Sequence, residues 1–231
     1  MIMKHLLPLL LVSLFFSCNK KEETKEEIYP PEGFVYTHEA LPGALHEIRY
    51  FSNNNFIGRP IDGYKASVAL LTREAAAALR KVQLDLESQG YQLKIFDAYR
   101  PQKAVDHFVR WSKDPADTLK KSEYYPDIDK PDLFRLGYIW EKSGHTRGST
   151  IDLTIVDKST GQELDMGSPY DFFGPISHHG TNMITPQQEA NRNILRDAML
   201  KHGFKILPEE WWHYTLVDEP YPDTYFNFEV K

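Results

Sequence analysis

The sequence contains little of what several protein classes require. Its 231 residues include one cysteine, so no disulfide forms within the chain. The formal net charge is -6 and no basic stretch stands out, which argues against binding to nucleic acids. Residues 28–231 show no internal repeat and no linker rich in Gly and Ser. A single domain of ordinary size accounts for this part of the chain.

Two common hydrolase signatures are also missing. The sequence has no GxSxG motif and its cysteine lies in an apolar N-terminal region, so a serine or cysteine nucleophile has little support. His46-Glu47 begins like the zinc-binding HExxH motif, but position 50 is Tyr. His178 and His179 are adjacent, so in an extended chain their side chains point in opposite directions. That arrangement favours structural hydrogen bonding over a metal site.

The apolar run Leu6–Phe16 is too short to span a bilayer comfortably, and it matches the core of a signal peptide. Lys4 precedes the run, and Cys18 follows Leu14-Phe15-Phe16-Ser17. This arrangement resembles a bacterial lipoprotein signal, with Ser17 as the small residue before the cut. The alternatives are an ordinary cleaved signal, or a chance apolar start with a buried thiol.

The lipoprotein hypothesis divides the chain into three parts. Residues 1–17 form the predicted signal, residues 18–30 a polar tether, and residues 31–231 the catalytic domain. Residues 19–27 have almost nothing apolar to bury and are predicted to be disordered. We expect an exported protein of the cell envelope, attached to a membrane through a lipid on Cys18.

The remaining sequence predicts an α+β fold, with a mainly antiparallel central sheet and flanking helices. At 41% hydrophobic and 26% charged residues, it has the composition of a globular protein with a core, and its 13 Tyr, 13 Phe and 4 Trp suit a lined pocket. Apolar periodicity and capping residues indicate the elements. The predicted elements are helices at 72–90, 102–111 and 187–202, strands at 91–96, 149–156, 204–207 and 211–216, and a long loop at 112–133.

Two distant segments carry residues suited to binding a metal ion. His145 and Asp152 lie on either side of Gly148, which permits a sharp turn between them. Glu210 and His213 flank two tryptophans, whose apolar bodies exclude water. Each pair alone has a plain alternative, a capped turn in the first case and a packed aromatic strand in the second. Together they offer the three protein ligands of a catalytic zinc, and a further carboxylate beside its water.

Longer motifs carry a family resemblance. SGHTRGSTIDLT, EEWWHY and FDAYRP resemble the corresponding segments of the VanX-type D-alanyl-D-alanine dipeptidases, a family of zinc peptidases. The resemblance covers residues 45–231 with the motif order kept, and includes Asp62-Gly63-Tyr64 and the final DEPYPDTYFNF. Gly144 and Thr150 stand where the family usually has Ser and Ala. The export signal is a larger departure, since the best-known relatives work in the cytosol.

The resemblance implies a role for each of eight residues. The resemblance implies one Zn²⁺ per chain, with His145, Asp152 and His213 as its ligands. Glu210 matches the general base and acid, and Arg100 matches the arginine that stabilises the tetrahedral transition state. The positions that hold the dipeptide and its ammonium group are Ser143, Tyr50 and Asp171.

The function that the resemblance implies is zinc-dependent hydrolysis of D-Ala-D-Ala in cell-wall peptide turnover. A DD-carboxypeptidase that trims peptidoglycan stem peptides is the alternative within enzymes. A zinc-bearing lipoprotein that binds without turnover is the alternative from another class, and the presence of both Glu210 and Arg100 disfavours it.

Overall fold

The computed structural model describes residues 29–231. The predicted signal, Cys18 and the tether up to residue 28 lie outside the described residues. Tyr29 is described, and its ring lies edge-on to Phe228 near the C-terminus. Within this range the predicted α+β class is confirmed. None of the helices in the described range is both long enough and apolar enough to cross a membrane.

Short strands and helices alternate along the chain. The strands are β1 (Phe34–Tyr36), β2 (Leu45–His46), β3 (Leu70–Thr72), β4 (Tyr91–Asp97), β5 (Thr150–Asp157), β6 (Phe204–Leu207) and β7 (Glu210–Leu216). The α-helices are α1 (Thr37–Ala40), α2 (Arg73–Ser88), α3 (Gln102–Ser112), α4 (Lys121–Tyr124), α5 (Asp132–Arg135) and α6 (Pro186–Lys201). Single turns of 3₁₀ helix lie at Arg49–Phe51, Gly144–Arg147 and Pro175–Ser177.

The main sheet has five strands in the order β2-β4-β5-β7-β6. Strand β2 runs parallel to β4, and the other neighbouring pairs are antiparallel. Every residue of β5 from Thr150 to Val156 is buried, so both faces of this central strand are covered. A separate antiparallel pair is formed by β1 and β3.

Helix α2 shows why the sequence pattern predicted it well. The Thr72 hydroxyl accepts a hydrogen bond from the Ala75 amide and so caps the first turn. Its buried residues recur every three or four positions, which gives it one apolar side that packs against β4 and α6. Gly90 follows the helix with a φ of +89°, a conformation that a residue with a side chain rarely adopts.

The predicted loop at 112–133 is partly wrong. Helix α4 lies inside it, and α5 begins at its end. Both are single turns of four residues, too short to leave a periodic apolar pattern in a segment rich in Asp, Lys and Pro. The other predicted helices and strands are present, with ends that differ by one or two residues.

The C-terminal segment closes over the domain rather than trailing from it. The Val230 amide donates to the carbonyl of Gly63, and the amide of Phe226 donates to the carbonyl of Thr146. Phe228 stacks on Tyr99 with ring centroids 4.0 Å apart. The segment therefore braces the turn that follows β4 and the 3₁₀ turn at Gly144–Arg147, which both carry site residues.

Candidate metal centre and active site

Two carboxylates and one imidazole form a row across three neighbouring strands. Asp152 of β5 pairs directly with His213 of β7 and with Asp97 of β4. Directly paired residues in a sheet point their side chains to the same face. A β-bulge at Phe96 makes this row possible, because the extra residue turns Asp97 from the face of Ile95 to the face of Asp152.

A second bulge brings Glu210 to the site. Residues three apart in a regular strand point to opposite faces, so Glu210 and His213 would be separated. Glu210 pairs with Leu207, whereas Tyr214 pairs with the preceding residue, Ile206. Residues 211–213 of β7 therefore lie between two consecutive pairs with β6, and the Glu210 Oε2 atom lies 3.4 Å from His213 Nδ1.

His145 comes from the 3₁₀ turn before β5. The Ser143 hydroxyl accepts a hydrogen bond from the amide of His145 and begins this turn. Gly148 ends it with a φ of +83°, and a side chain there would meet the ring of Phe34 at 2.4 Å. The turn predicted at Gly148 is thus confirmed, and it leads the chain directly from His145 into the strand that carries Asp152.

The three predicted ligand atoms form a nearly equilateral triangle. His145 Nε2 lies 3.2 Å from both Asp152 Oδ1 and His213 Nδ1, and Asp152 Oδ1 lies 3.1 Å from His213 Nδ1. Zinc with bonds of about 2.0–2.1 Å in tetrahedral geometry has its ligand atoms about 3.3 Å apart. The triangle therefore matches one face of a zinc coordination tetrahedron.

The surroundings of these atoms also fit a cation. His145 Nδ1 lies 2.7 Å from the carbonyl of Ala98, so it carries the proton and leaves the Nε2 lone pair for a metal. Asp152 Oδ1 is buried and accepts no regular hydrogen bond from the described residues. These three residues are the group in the described range that could hold a metal ion.

Burial and close charges shift the protonation of this group. Burial lowers the pKa of His145 to about 4, so its imidazole is neutral near neutral pH. Burial would raise the pKa of Asp152, but the two imidazoles outweigh it and hold that pKa well below its usual range. Burial also raises the pKa of Glu210 to about 7, although His213 opposes the shift. A carboxyl with such a pKa can both accept and donate a proton near neutral pH.

Arg100 reaches the site from the end of β4. Its Nε donates to Asp97 Oδ2 at 2.9 Å, and one Nη lies 3.4 Å from Asp152 Oδ2. Asp97 is almost fully buried and accepts a second hydrogen bond, at 2.6 Å, from the hydroxyl of Tyr64. Asp97 thereby holds the Arg100 guanidinium through its Nε atom. Arg100 itself lines the cavity.

Asp171 and Tyr50 meet at the closed end of the same cavity. The Tyr50 hydroxyl lies 2.9 Å from one carboxylate oxygen of Asp171 and 3.2 Å from the other. Both residues are buried, and burial raises the pKa of Asp171 well above its usual range. A ligand cation placed against Asp171 would favour its ionised form and be strongly attracted by it. Asp171 has a φ of +61°, a strained conformation that Asp tolerates better than most residues.

The cavity has a volume of about 510 Å³, and all eight predicted site residues line it. At its closed end Asp171 meets Tyr50, and the rings of Phe56 and Phe108 pack against the Tyr50 ring. Exposed residues border another part of the cavity, and they include Leu136, Trp140 and Lys142. The cavity is therefore open to solvent at the Leu136–Lys142 segment, whereas the Asp171 side chain is buried.

Three residues of the site had no role assigned from the sequence. Asp97 and Tyr64 occur within motifs that carry the family resemblance, FDAYRP and Asp62-Gly63-Tyr64, so their position was visible and their role was not. Tyr170 occurs in none of those motifs. Its hydroxyl lies 3.0 Å from Asp152 Oδ2.

Comparison with known proteins agrees with this geometry. The family model described as Peptidase_M15, D-ala-D-ala dipeptidase, matches residues 31–231. The chain belongs to this family. It is therefore a peptidase, and the resemblance stated from the motifs is confirmed.

Several members of the D-ala-D-ala dipeptidase family are similar over most of their length. The D-alanyl-D-alanine dipeptidase of Enterococcus faecalis is 45% identical over 199 residues, 86% of this chain and 98% of that protein. Those of Enterococcus faecium and Streptomyces coelicolor are each 42% identical and cover 86% and 85% of this chain. A solved structure, that of the LdcB LD-carboxypeptidase, is 18% identical and covers 83% of this chain and 71% of its own, with a TM-score of 0.41, too low to support an argument.

Proposed function

We propose that this chain hydrolyses the dipeptide D-Ala-D-Ala and uses zinc held by His145, Asp152 and His213. The observation that supports this best is the triangle of three ligand atoms 3.1–3.2 Å apart, with the Glu210 carboxylate next to it. The names of the three most similar relatives described above support the choice of substrate.

The proposed mechanism assigns one task to each side chain. A bound zinc ion would lower the pKa of its water toward about 7 and polarise the scissile carbonyl. Glu210 accepts the proton of the attacking water and passes it to the leaving amine. Arg100 faces the carbonyl oxygen as negative charge develops there. Asp171 binds the ammonium group of the dipeptide, and Tyr50 and Ser143 help to hold the substrate.

The closed end of the cavity favours a dipeptidase over a DD-carboxypeptidase. A stem peptide would have to continue beyond the position of the dipeptide's ammonium group. Buried aromatic rings and the carboxylate of Asp171 occupy that direction. Burying an uncharged amide against Asp171 would leave the carboxylate without its partner, which costs several kcal/mol.

A binding protein without turnover is the weaker candidate. Such a protein needs a ligand pocket, but it does not need a partly buried carboxylate beside the metal donors and an arginine fixed from behind by a buried aspartate. Glu210 and Arg100 occupy these two positions.

We further propose that the enzyme is exported and held at a membrane by a lipid on Cys18, with residues 1–17 as signal and 18–30 as tether. An enzyme outside the inner membrane would process released wall fragments and spare the cytosolic D-Ala-D-Ala needed for new peptidoglycan. Fractionation tests this: a Cys18→Ala variant should leave the membrane fraction, and an unchanged distribution would contradict the anchor.

The metal ligands are tested by replacing His213. We expect the wild-type protein to bind one zinc per chain and to lose activity when a chelator removes it. The His213→Ala variant loses one of three ligands, so zinc retained after dialysis should fall far below one per chain. Metal analysis measures this, with His202→Ala as the control because His202 pairs with Asp85 outside the cavity. A full zinc content in His213→Ala would remove His213 from the ligand set.

Arg100 is tested by separating its effects on kcat and KM. Because the proposed contact strengthens as charge develops on the carbonyl oxygen, Arg100→Ala should lower kcat by about 100-fold or more and change KM much less. Arg110→Ala is the matched control, since Arg110 is an exposed residue of α3 that pairs with Asp62. A rise in KM with kcat unchanged would assign Arg100 to ground-state binding instead.

A further inference from the structure

A pair of buried tyrosines connects the candidate metal centre to the candidate ammonium subsite. The Tyr170 hydroxyl lies 3.0 Å from Asp152 Oδ2 and 3.3 Å from the hydroxyl of Tyr50. Tyr50 in turn lies 2.9 Å from Asp171. The two carboxylates are thus linked through two phenols, all of them buried.

Each phenol has one proton to donate, which decides how the pair is arranged. Tyr50 donates its proton to Asp171, whose oxygens are its close acceptors. Tyr170 can donate either to Asp152 or to Tyr50. The carboxylate is the nearer and the charged acceptor, and a hydrogen bond to an ionised oxygen is about twice as strong as one to a neutral oxygen. Tyr170 therefore donates to Asp152.

This hydrogen bond acts on the oxygen of Asp152 that faces away from the imidazoles. Oδ1 is the atom directed at His145 and His213, and Oδ2 is the atom bound by Tyr170. The only other donor to Oδ2 among the described residues is Arg100, at a longer distance of 3.4 Å. Tyr170 is therefore the closer of the two donors to this oxygen.

The Tyr170 ring is held in one position. It stacks on Phe96 with centroids 4.6 Å apart, and lies edge-on to Trp212 at 5.4 Å. The guanidinium of Arg49 covers it at 5.8 Å from its centroid. The adjacent residue, Asp171, lines the cavity, whereas Tyr170 reaches Asp152 without being part of the cavity lining.

We infer that Tyr170 is a positioning residue of the metal centre: its hydroxyl orients the Asp152 carboxylate so that Oδ1 faces the metal ion. The inference rests on the ligand set of the proposed function. Hydrogen-bond partners of metal ligands commonly change metal affinity by about 10–100-fold when removed. The plain alternative is a core tyrosine whose hydroxyl has found a convenient acceptor, and it predicts no change in metal affinity.

Zinc affinity of the Tyr170→Phe variant tests the inference. The metal-free variant is titrated with zinc in competition with a chromophoric chelator, and we expect an affinity at least about 10-fold weaker than that of the wild type. Its activity on D-Ala-D-Ala should shift to correspondingly higher zinc concentrations. A zinc affinity equal to that of the wild type would overturn the inference.

Two control variants separate positioning from a general loosening of the core. Tyr125→Phe removes a fully buried phenol whose oxygen has no hydrogen-bond partner among the described residues, so its zinc affinity should match the wild type. Tyr50→Phe leaves the Tyr170–Asp152 bond intact, so it should keep its zinc affinity and raise KM for the dipeptide. Equal weakening of zinc binding in all three variants would also overturn the inference.

Two further measurements make the result unambiguous. Thermal unfolding of the metal-free proteins shows whether Tyr170→Phe is folded, and zinc affinity is compared only between variants that unfold cooperatively. His213→Ala is included in the same titration. If it binds zinc as tightly as the wild type, the proposed ligand set has failed. If His213→Ala binds zinc weakly and Tyr170→Phe binds it as tightly as the wild type, the ligand set stands and the role of Tyr170 has failed.

Discussion

The Glu210→Gln variant is expected to keep its zinc and to lose nearly all turnover. Glutamine has the size of glutamate and leaves the three ligand atoms untouched, but its amide cannot accept a proton from the attacking water. General acid and base groups contribute about 10²–10⁴-fold to rates, so kcat should fall by at least about 100-fold. Steady-state kinetics on D-Ala-D-Ala together with metal analysis measures both parts of the prediction.

Glu209→Gln is the matched control for this loss. Glu209 is the neighbouring residue; it is exposed, borders the same cavity, and forms no ion pair with the described residues. The change removes the same charge one position away, so kcat should stay within a few-fold of the wild type. A Glu210→Gln enzyme that keeps near-normal kcat would contradict the proposed mechanism, and one that has lost its zinc would make Glu210 a metal ligand.

The convergence of the metal ligands was only partly predictable from the sequence. The turn at Gly148 is readable, because glycine tolerates the left-handed backbone that brings His145 to the start of β5. The approach of Glu210 to His213 is not, since alternation along a strand predicts opposite faces for residues three apart. The bulge that joins them depends on pairing with β6, which is a tertiary contact.

Asp97 and Tyr170 illustrate two different reasons why a site residue goes unassigned. Asp97 follows an apolar strand and looks like a residue of a turn, and a bulge at Phe96 turns it toward Asp152. Tyr170 looks like one more core aromatic in a chain that has many. Its hydroxyl bonds Asp152, which lies 18 residues earlier in the chain, and no local pattern in the sequence indicates such a tertiary contact.

Free D-Ala-D-Ala is expected to be cleaved orders of magnitude faster than its N-acetyl form or a stem pentapeptide. The ammonium group of the dipeptide pairs with the buried carboxylate of Asp171, whereas a blocked nitrogen leaves that carboxylate unpaired. Breaking a buried ion pair from one side costs about 3–5 kcal/mol, which corresponds to roughly 10²–10³-fold or more in kcat/KM. The same preparation is assayed on all three substrates at saturating zinc.

Asp171→Asn shows whether this carboxylate is the source of the selectivity. Asn tolerates the left-handed backbone at this position and can still accept the hydrogen bond of Tyr50, so the variant changes charge with little change in shape. Its kcat/KM for the free dipeptide should fall by about 100-fold or more, while the value for the N-acetyl form should not fall, because the variant has no carboxylate left to be unpaired. The difference in kcat/KM between the two substrates therefore becomes smaller, chiefly because the value for the free dipeptide falls. Equal kcat/KM for dipeptide and pentapeptide in the wild type would instead identify a DD-carboxypeptidase, because that enzyme has no use for a charge at the closed end of its cavity.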